Sequence, residues 1–245
     1  MIEISRLSKH HGSKAAVDDV SFTARPGRVT GFLGPNGAGK SSTLRILLGL
    51  DAATSGTALI NGKRYRDLKH PLRTVGALLD GAGPVPQRRA VDHLTWIAQS
   101  NRIPRARVRE VLDLTGLADV AKQRVRKYSL GMAQRLGIAA ALLGDPELLV
   151  LDEPVNGLDP EGIRWIRGLL RDHAAAGRTV LLSSHLMTET AATADDVVII
   201  DHGRIVTQGP IAEVTAGHGS LEEAFFARTG SGARTGSDAA TGSDR

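Results

Sequence analysis

A chain of 245 residues, 41% hydrophobic and 23% charged, is long enough to bury a full core and balanced enough to be globular. It has no cysteine, which excludes disulfides, zinc–thiolate sites and thiol nucleophiles, and no apolar run approaches the ~18–20 residues of a membrane-spanning helix. The net charge of +5 comes mainly from Arg, which supplies 24 of the 31 basic residues without forming a dense run. It reads as guanidinium groups spread over solvated faces, so no nucleic-acid partner is expected.

In chain order, residues 1–7 and 20–24 alternate apolar and polar positions as strands do, and Pro26-Gly27 turns the chain into a third strand at 28–33. A Gly-rich loop and a helical pattern at 40–50 follow. A short strand at 57–60 is closed by an Asn61-Gly62 turn. Between 81 and 143 the periodicity becomes helical, in segments at 91–100, 105–114 and 134–143, with Pro104 and Gly116 as punctuation. Strand–helix alternation then resumes. A buried strand at 148–151, a helix at 161–176 and a strand at 179–183 precede a hairpin at 196–207 around His202-Gly203. The pattern predicts an α/β fold with a mainly parallel sheet, an N-terminal antiparallel part and a helical subdomain inserted at about 81–143. One domain is expected over 1–229, and the small, polar segment 230–245 is expected to be disordered. The first residues carry no apolar stretch of signal-peptide type.

The most informative segment is GPNGAGKS, Gly34 to Ser41, which satisfies G-x-x-x-x-G-K-[ST] between a strand and a helix. Glycines let the backbone aim N–H groups at phosphate oxygens, and the helix start adds its positive dipole end. Lys40 is placed to reach the β- and γ-phosphates and the Ser41 hydroxyl to ligate Mg²⁺. A second element, LLVLDEP, delivers Asp152 at the end of an apolar strand, where a P-loop enzyme holds Mg²⁺. Glu153 follows as a candidate general base for the attacking water.

With these two elements in place, the chain resembles the ATP-binding cassette (ABC) ATPase family over nearly all of 1–229. Between them lies YSLGMAQR, Tyr128 to Arg135, similar to the family's LSGGQ signature. It keeps Ser129 and Gly131 but has Leu130 and Met132 at the usual Gly and Gln. On its own the segment reads as Ser129 capping an apolar helix. The resemblance implies that Ser129 and Gly131 bind the γ-phosphate held by an opposite subunit. VNGLDPEG is similar to the D-loop, with Asp159 at its Asp, and LLSSH ends in His185 at the switch-histidine position.

The resemblance also implies nucleotide contacts from His11, Val17, Gly34, Pro35, Asn36, Gly37, Ala38, Gly39, Lys40, Ser41 and Ser42. His11 stands where an aromatic residue commonly stacks on adenine. Asp80 stands at the Q-loop Gln position, where its oxygen can serve Mg²⁺ beside Ser41 and Asp152; Gln87 is seven residues on. The implied catalytic set is Glu153, His185, Lys40 and Asp159. The implied assembly is a head-to-tail pair of cassettes, two copies or a copy with a relative, on a multispan membrane subunit at the cytoplasmic face. The ending SLEEAFFARTG resembles bacterial drug, antibiotic and lantibiotic exporter ATPases, which implies export driven by ATP hydrolysis. The alternative is a soluble cassette ATPase acting on a ribosome, iron–sulfur assembly or DNA.

Overall fold

The computed structural model describes residues 1–79 and 83–229. Asp80 and the expected tail at 230–245 therefore lie outside the described residues. Two sheets share the work. In the first, β1 (Ile2–His11) pairs antiparallel with β2 (Lys14–Ala24) on one side and with β4 (Ser55–Ile60) on the other. Between β2 and β4 the chain passes through β3 (Val29–Leu33) and α1 (Lys40–Leu47).

Short α2 (Pro71–Thr74) and β5 (Val75–Leu78) follow, then three helices: α3 (Ala90–Ser100), α4 (Arg105–Leu114) and α5 (Leu130–Leu142). The remainder is β6 (Leu148–Asp152), α6 (Pro160–Ala175), β7 (Thr179–Ser184), α7 (Met187–Ala191), β8 (Asp196–Asp201), β9 (Arg204–Pro210), α8 (Ile211–Val214) and α9 (Leu221–Thr229). The second sheet has the order β5-β6-β7-β3-β8-β9, and only β9 runs antiparallel to its neighbour. A mainly parallel sheet beside an antiparallel N-terminal part is the architecture expected from the pattern.

The central strands β3, β6 and β7 are buried along their whole length, which is why they read as continuous apolar runs without alternation. Period-two geometry still divides their side chains between two faces. Leu149, Leu151, Val180 and Leu182 pack with Leu94, Val111, Leu136 and Ile166 from the helices. Leu148, Val150, Leu181 and Val198 pack with Leu44 and Leu47 of α1 and with Ile2, Leu7, Val20 and Phe22 of the antiparallel sheet. Each such side chain stabilises the fold by about 1.5–3 kcal/mol relative to exposure. Leu136 is wholly buried, so Leu136→Ala would cost about 2–5 kcal/mol.

Several boundaries differ from the sequence reading. The first two strands are longer than expected because bulges let them continue. Arg6 (φ 45°) and Asp19 (φ 53°) interrupt the pairing, and their N–H groups donate to Ser21 Oγ at 2.8 Å and Ser8 Oγ at 3.0 Å. Helix α5 begins at Leu130, as the reading of Ser129 as a cap implies and four residues before the periodic segment at 134–143; the Ser129 hydroxyl accepts from Met132 N–H and caps it despite Gly131 in the first turn. Strand β5 went unrecognised: it is four residues long and contains Gly76. That glycine is needed, since a Cβ there would stand 2.1 Å from the Ala141 carbonyl oxygen of α5.

Candidate active site

The phosphate loop leaves the sheet at Leu33 and re-enters regular structure at Lys40, the first residue of α1. Its course is set by close approach. A Cβ on Gly34 would lie 2.2 Å from the Ile200 carbonyl oxygen, and one on Gly39 (φ 108°) 2.4 Å from that of Ala16. Ala38 is buried; its carbonyl accepts from Gly203 N–H at 3.0 Å, and its own N–H donates to the Pro35 carbonyl at 3.1 Å. Buried Val17 lies beside Gly39. The loop is thus held between β2 and the β8–β9 turn, while Pro35, Asn36 and Gly37 are exposed.

Lys40 is only 6% exposed. Its ammonium donates to the Gly34 carbonyl at 2.6 Å and the Pro35 carbonyl at 3.2 Å, and stands 3.8 Å from Glu153 Oε1. Burial holds its pKa below the ordinary lysine value, with Glu153 and Asp152 opposing that shift. No acidic residue of α1 itself occupies its first turn, where Ser41 is exposed and Ser42 half-buried, so the positive end of the helix faces the loop.

The acidic pair sits at the end of β6. Asp152 is buried, and its Oδ1 accepts a hydrogen bond from the Ser183 hydroxyl. Glu153 adopts φ 51°, a left-handed conformation that a non-glycine residue holds only when its surroundings fix it. Its N–H reaches the Ser183 carbonyl and hydroxyl oxygens, both at 3.2 Å, and its carbonyl accepts from Gln134 Nε2 at 3.1 Å. The carboxylate spans Lys40 on one oxygen and His185 Nδ1, at 2.8 Å, on the other. Lys40, Asp152, Glu153 and His185 therefore converge at one end of the parallel sheet.

Other expected positions lie apart from this group. Ser129 caps α5, and a Cβ on Gly131 would come 2.9 Å from the Gly157 carbonyl oxygen, so the start of α5 rests on the turn that leads to α6. Asp159 Oδ1 accepts from Gly162 N–H at 2.7 Å, capping α6 with Pro160 at its first position. Among the described residues, no hydrogen bond or ion pair links Ser129, Gly131 or Asp159 to the Lys40–Glu153–His185 group. His11 is exposed at the end of the β1–β2 hairpin, opposite Lys14, and Gln87 is exposed in the turn before α3. Ser183 and Gln134 were missed in the sequence. A polar residue ending an apolar strand was a usable signal for Ser183, but nothing local marks Gln134.

The family model described as "ABC transporter" matches residues 17–156. Among curated relatives, the lantibiotic transport ATP-binding protein SrtF of Streptococcus pyogenes is 34% identical over 225 residues, which cover 92% of this chain and 96% of SrtF. The bacitracin transport ATP-binding protein BcrA of Bacillus licheniformis is 41% identical over 213 residues, covering 86% of this chain and 70% of BcrA. A solved structure titled as an ATP binding subunit of an ABC transporter superposes with a TM-score of 0.84 at 27% identity, covering 94% of this chain and 99% of that one. With matching motifs, fold and relatives, the chain belongs to the ABC transporter family, as an ATP-binding, ATP-hydrolysing cassette.

Proposed function

We propose that this chain powers export of an antibiotic or antimicrobial peptide through a separate multispan membrane subunit, at the cytoplasmic face, with Glu153 as its catalytic base. The observation that carries the catalytic part is the Glu153 carboxylate held between Lys40 and His185 beside the phosphate loop. The export part is supported by relatives named for lantibiotic and bacitracin transport. The cassette is read as one domain over 1–229 with helices inserted at about 81–143 and a tail at 230–245.

In this reading the backbone of Gly34–Ser41 cradles the phosphates and Lys40 leaves its loop carbonyls to meet the β- and γ-oxygens. Asp152 and the exposed Ser41 hydroxyl are hard oxygen donors suited to Mg²⁺. Ser183 occupies Asp152 Oδ1, while Oδ2 has no hydrogen bond among the described residues. When bound, Mg²⁺ would neutralise charge developing on the transferring phosphoryl group. Glu153 takes a proton from the attacking water, and His185 fixes the carboxylate's direction from its far oxygen. Ser129 and Gly131 face the nucleotide of a second cassette in a head-to-tail dimer, and His11 stacks on the adenine.

The test pairs a variant with a phenotype. Glu153→Gln should bind ATP as the parent does and lose turnover by on the order of 10²–10⁴-fold. Disrupting the gene should make its host more sensitive to peptide antibiotics. Full hydrolysis by Glu153→Gln removes the base assignment; unchanged sensitivity to peptide antibiotics removes the export reading and leaves the ATPase.

A further inference from the structure

We propose that Gln134 is a positioning residue for Glu153, tying the base to the helix that carries the signature segment. This rests on the assignment of Glu153 given above. Glu153 turns into the left-handed region at φ 51° immediately after a buried strand, so its side-chain direction depends on how firmly its two peptide groups are pinned. The preceding peptide is pinned by Ser183, through two contacts to Glu153 N–H. The following one is pinned by Gln134 Nε2, 3.1 Å from the Glu153 carbonyl oxygen, and by Asn156 N–H at 3.2 Å.

These contacts have different origins. Ser183 belongs to β7, the neighbouring strand, and Asn156 to the same turn as Glu153, so both move with the sheet. Among the described residues, Gln134 is the one partner of the Glu153 backbone that comes from the helices between β5 and β6. Asn156 alone already satisfies the carbonyl, so Gln134 is not needed to avoid a buried orphan acceptor. What it adds is direction.

The helix makes that direction transmissible. Ser129 and Gln134 are five residues apart, with the uninterrupted first turn of α5 between them. A shift of the α5 N-terminus is therefore felt at the amide of Gln134 without loss in a flexible joint. The same helix packs closely on β5, where a Cβ on Gly137 would come 2.6 Å from Leu78 Cδ1, so a displacement of its first turn is not absorbed by slack packing further along. In a sandwich dimer the start of α5 faces the partner's nucleotide while Glu153 serves this chain's own. Gln134 is then a route by which occupancy of one site orients the base of the other.

The test uses the full chain and two substitutions. Gln134→Met keeps length and volume but has no N–H to donate, whereas Gln134→Lys keeps a donor of similar reach. Gln134→Met should lower kcat by on the order of 10–100-fold, the usual effect of a small displacement of a catalytic group, with KM for ATP and the melting temperature unchanged. Amide hydrogen exchange over residues 153–158 should quicken in the same variant, and Gln134→Lys should recover most of both losses. Parental kcat and exchange in Gln134→Met would overturn the proposal. So would equal losses in both variants accompanied by a lowered melting temperature, which would mark a packing role. Glu153→Gln run in parallel separates the two claims. If that variant still hydrolyses ATP, the base assignment falls, and the exchange result alone decides whether Gln134 pins the turn.

Discussion

Glu153 Oε2 lies 2.8 Å from His185 Nδ1, joining the residue after β6 to the residue after β7. Those strands are hydrogen-bonded neighbours in parallel register, Asp152 opposite Ser183. Parallel pairing brings both chain exits to the same sheet end, so two residues 32 positions apart meet without any loop to guide them. His185→Ala should accordingly lower kcat by on the order of 10²-fold while nucleotide binding by fluorescence titration stays near parental. Parental turnover would show that the carboxylate keeps its direction without the imidazole.

The phosphate loop offers a contrast between two glycines. Gly39→Ala places a Cβ 2.4 Å from a backbone oxygen at φ 108°, so the loop has to be displaced. It should lose ATP binding and about 1–3 kcal/mol of stability in denaturant unfolding. Gly37 also has positive φ, 81°, but open space around its missing Cβ. Gly37→Ala should cost only about 1 kcal/mol, from backbone strain. Equal costs for the two would refute the steric account.

Asp159 has a visible duty as the N-cap of α6, which any short hydrogen-bond acceptor can perform. Asp159→Ala should lower stability by about 1 kcal/mol and the melting temperature by about 2–4 °C, while Asp159→Asn stays near parental. Turnover assays on the stable Asn variant then isolate the carboxylate's charge. A large fall in kcat there would mark a catalytic duty beyond capping.

His173, at the end of α6, is buried, and its Nε2 has no hydrogen-bond partner among the described residues. Burial chiefly, with Arg178 adding and Asp145 opposing, lowers its pKa from 6.5 to about 4. The unfolded chain therefore binds this proton more readily than the folded one. The stability it contributes is whole above pH 6.5 and declines as the pH falls towards 4, by up to about 3 kcal/mol. Denaturant unfolding from pH 7 to 4.5 should show a shallower decline in His173→Gln than in the parent. Parallel curves would mean that the histidine is charged in the fold.

What could be read in advance follows from how local each signal is. The Gly34–Ser41 loop and the Asp152-Glu153 pair are compact patterns whose chemistry is written in consecutive residues. Ser129 and Asp159 likewise announce helix starts through their own next few residues. Strand β5 was illegible because four residues around Gly76 carry no period; only the carbonyl of Ala141, 65 positions away, explains the glycine. Gln134 was illegible for the same reason, since its partner lies 19 residues on and is a backbone oxygen, which leaves no mark on side-chain pattern. The extensions of β1 and β2 depend on bulges whose N–H groups are satisfied by serines of the opposite strand. Pairing has to exist before those serines acquire meaning.

Strand β3, which carries the phosphate loop, is flanked in its sheet only by β7 and β8. Both neighbours begin about 150 or more residues later in the chain, and the amide that steadies Ala38 belongs to Gly203. During synthesis from the N-terminus, the loop's contacts with β2 and within α1 involve residues made together with it, whereas the Ile200 carbonyl and the Gly203 N–H that close its other side come about 165 positions later. The full shape of the phosphate loop is therefore a product of long-range pairing, and it is expected to be completed late in folding.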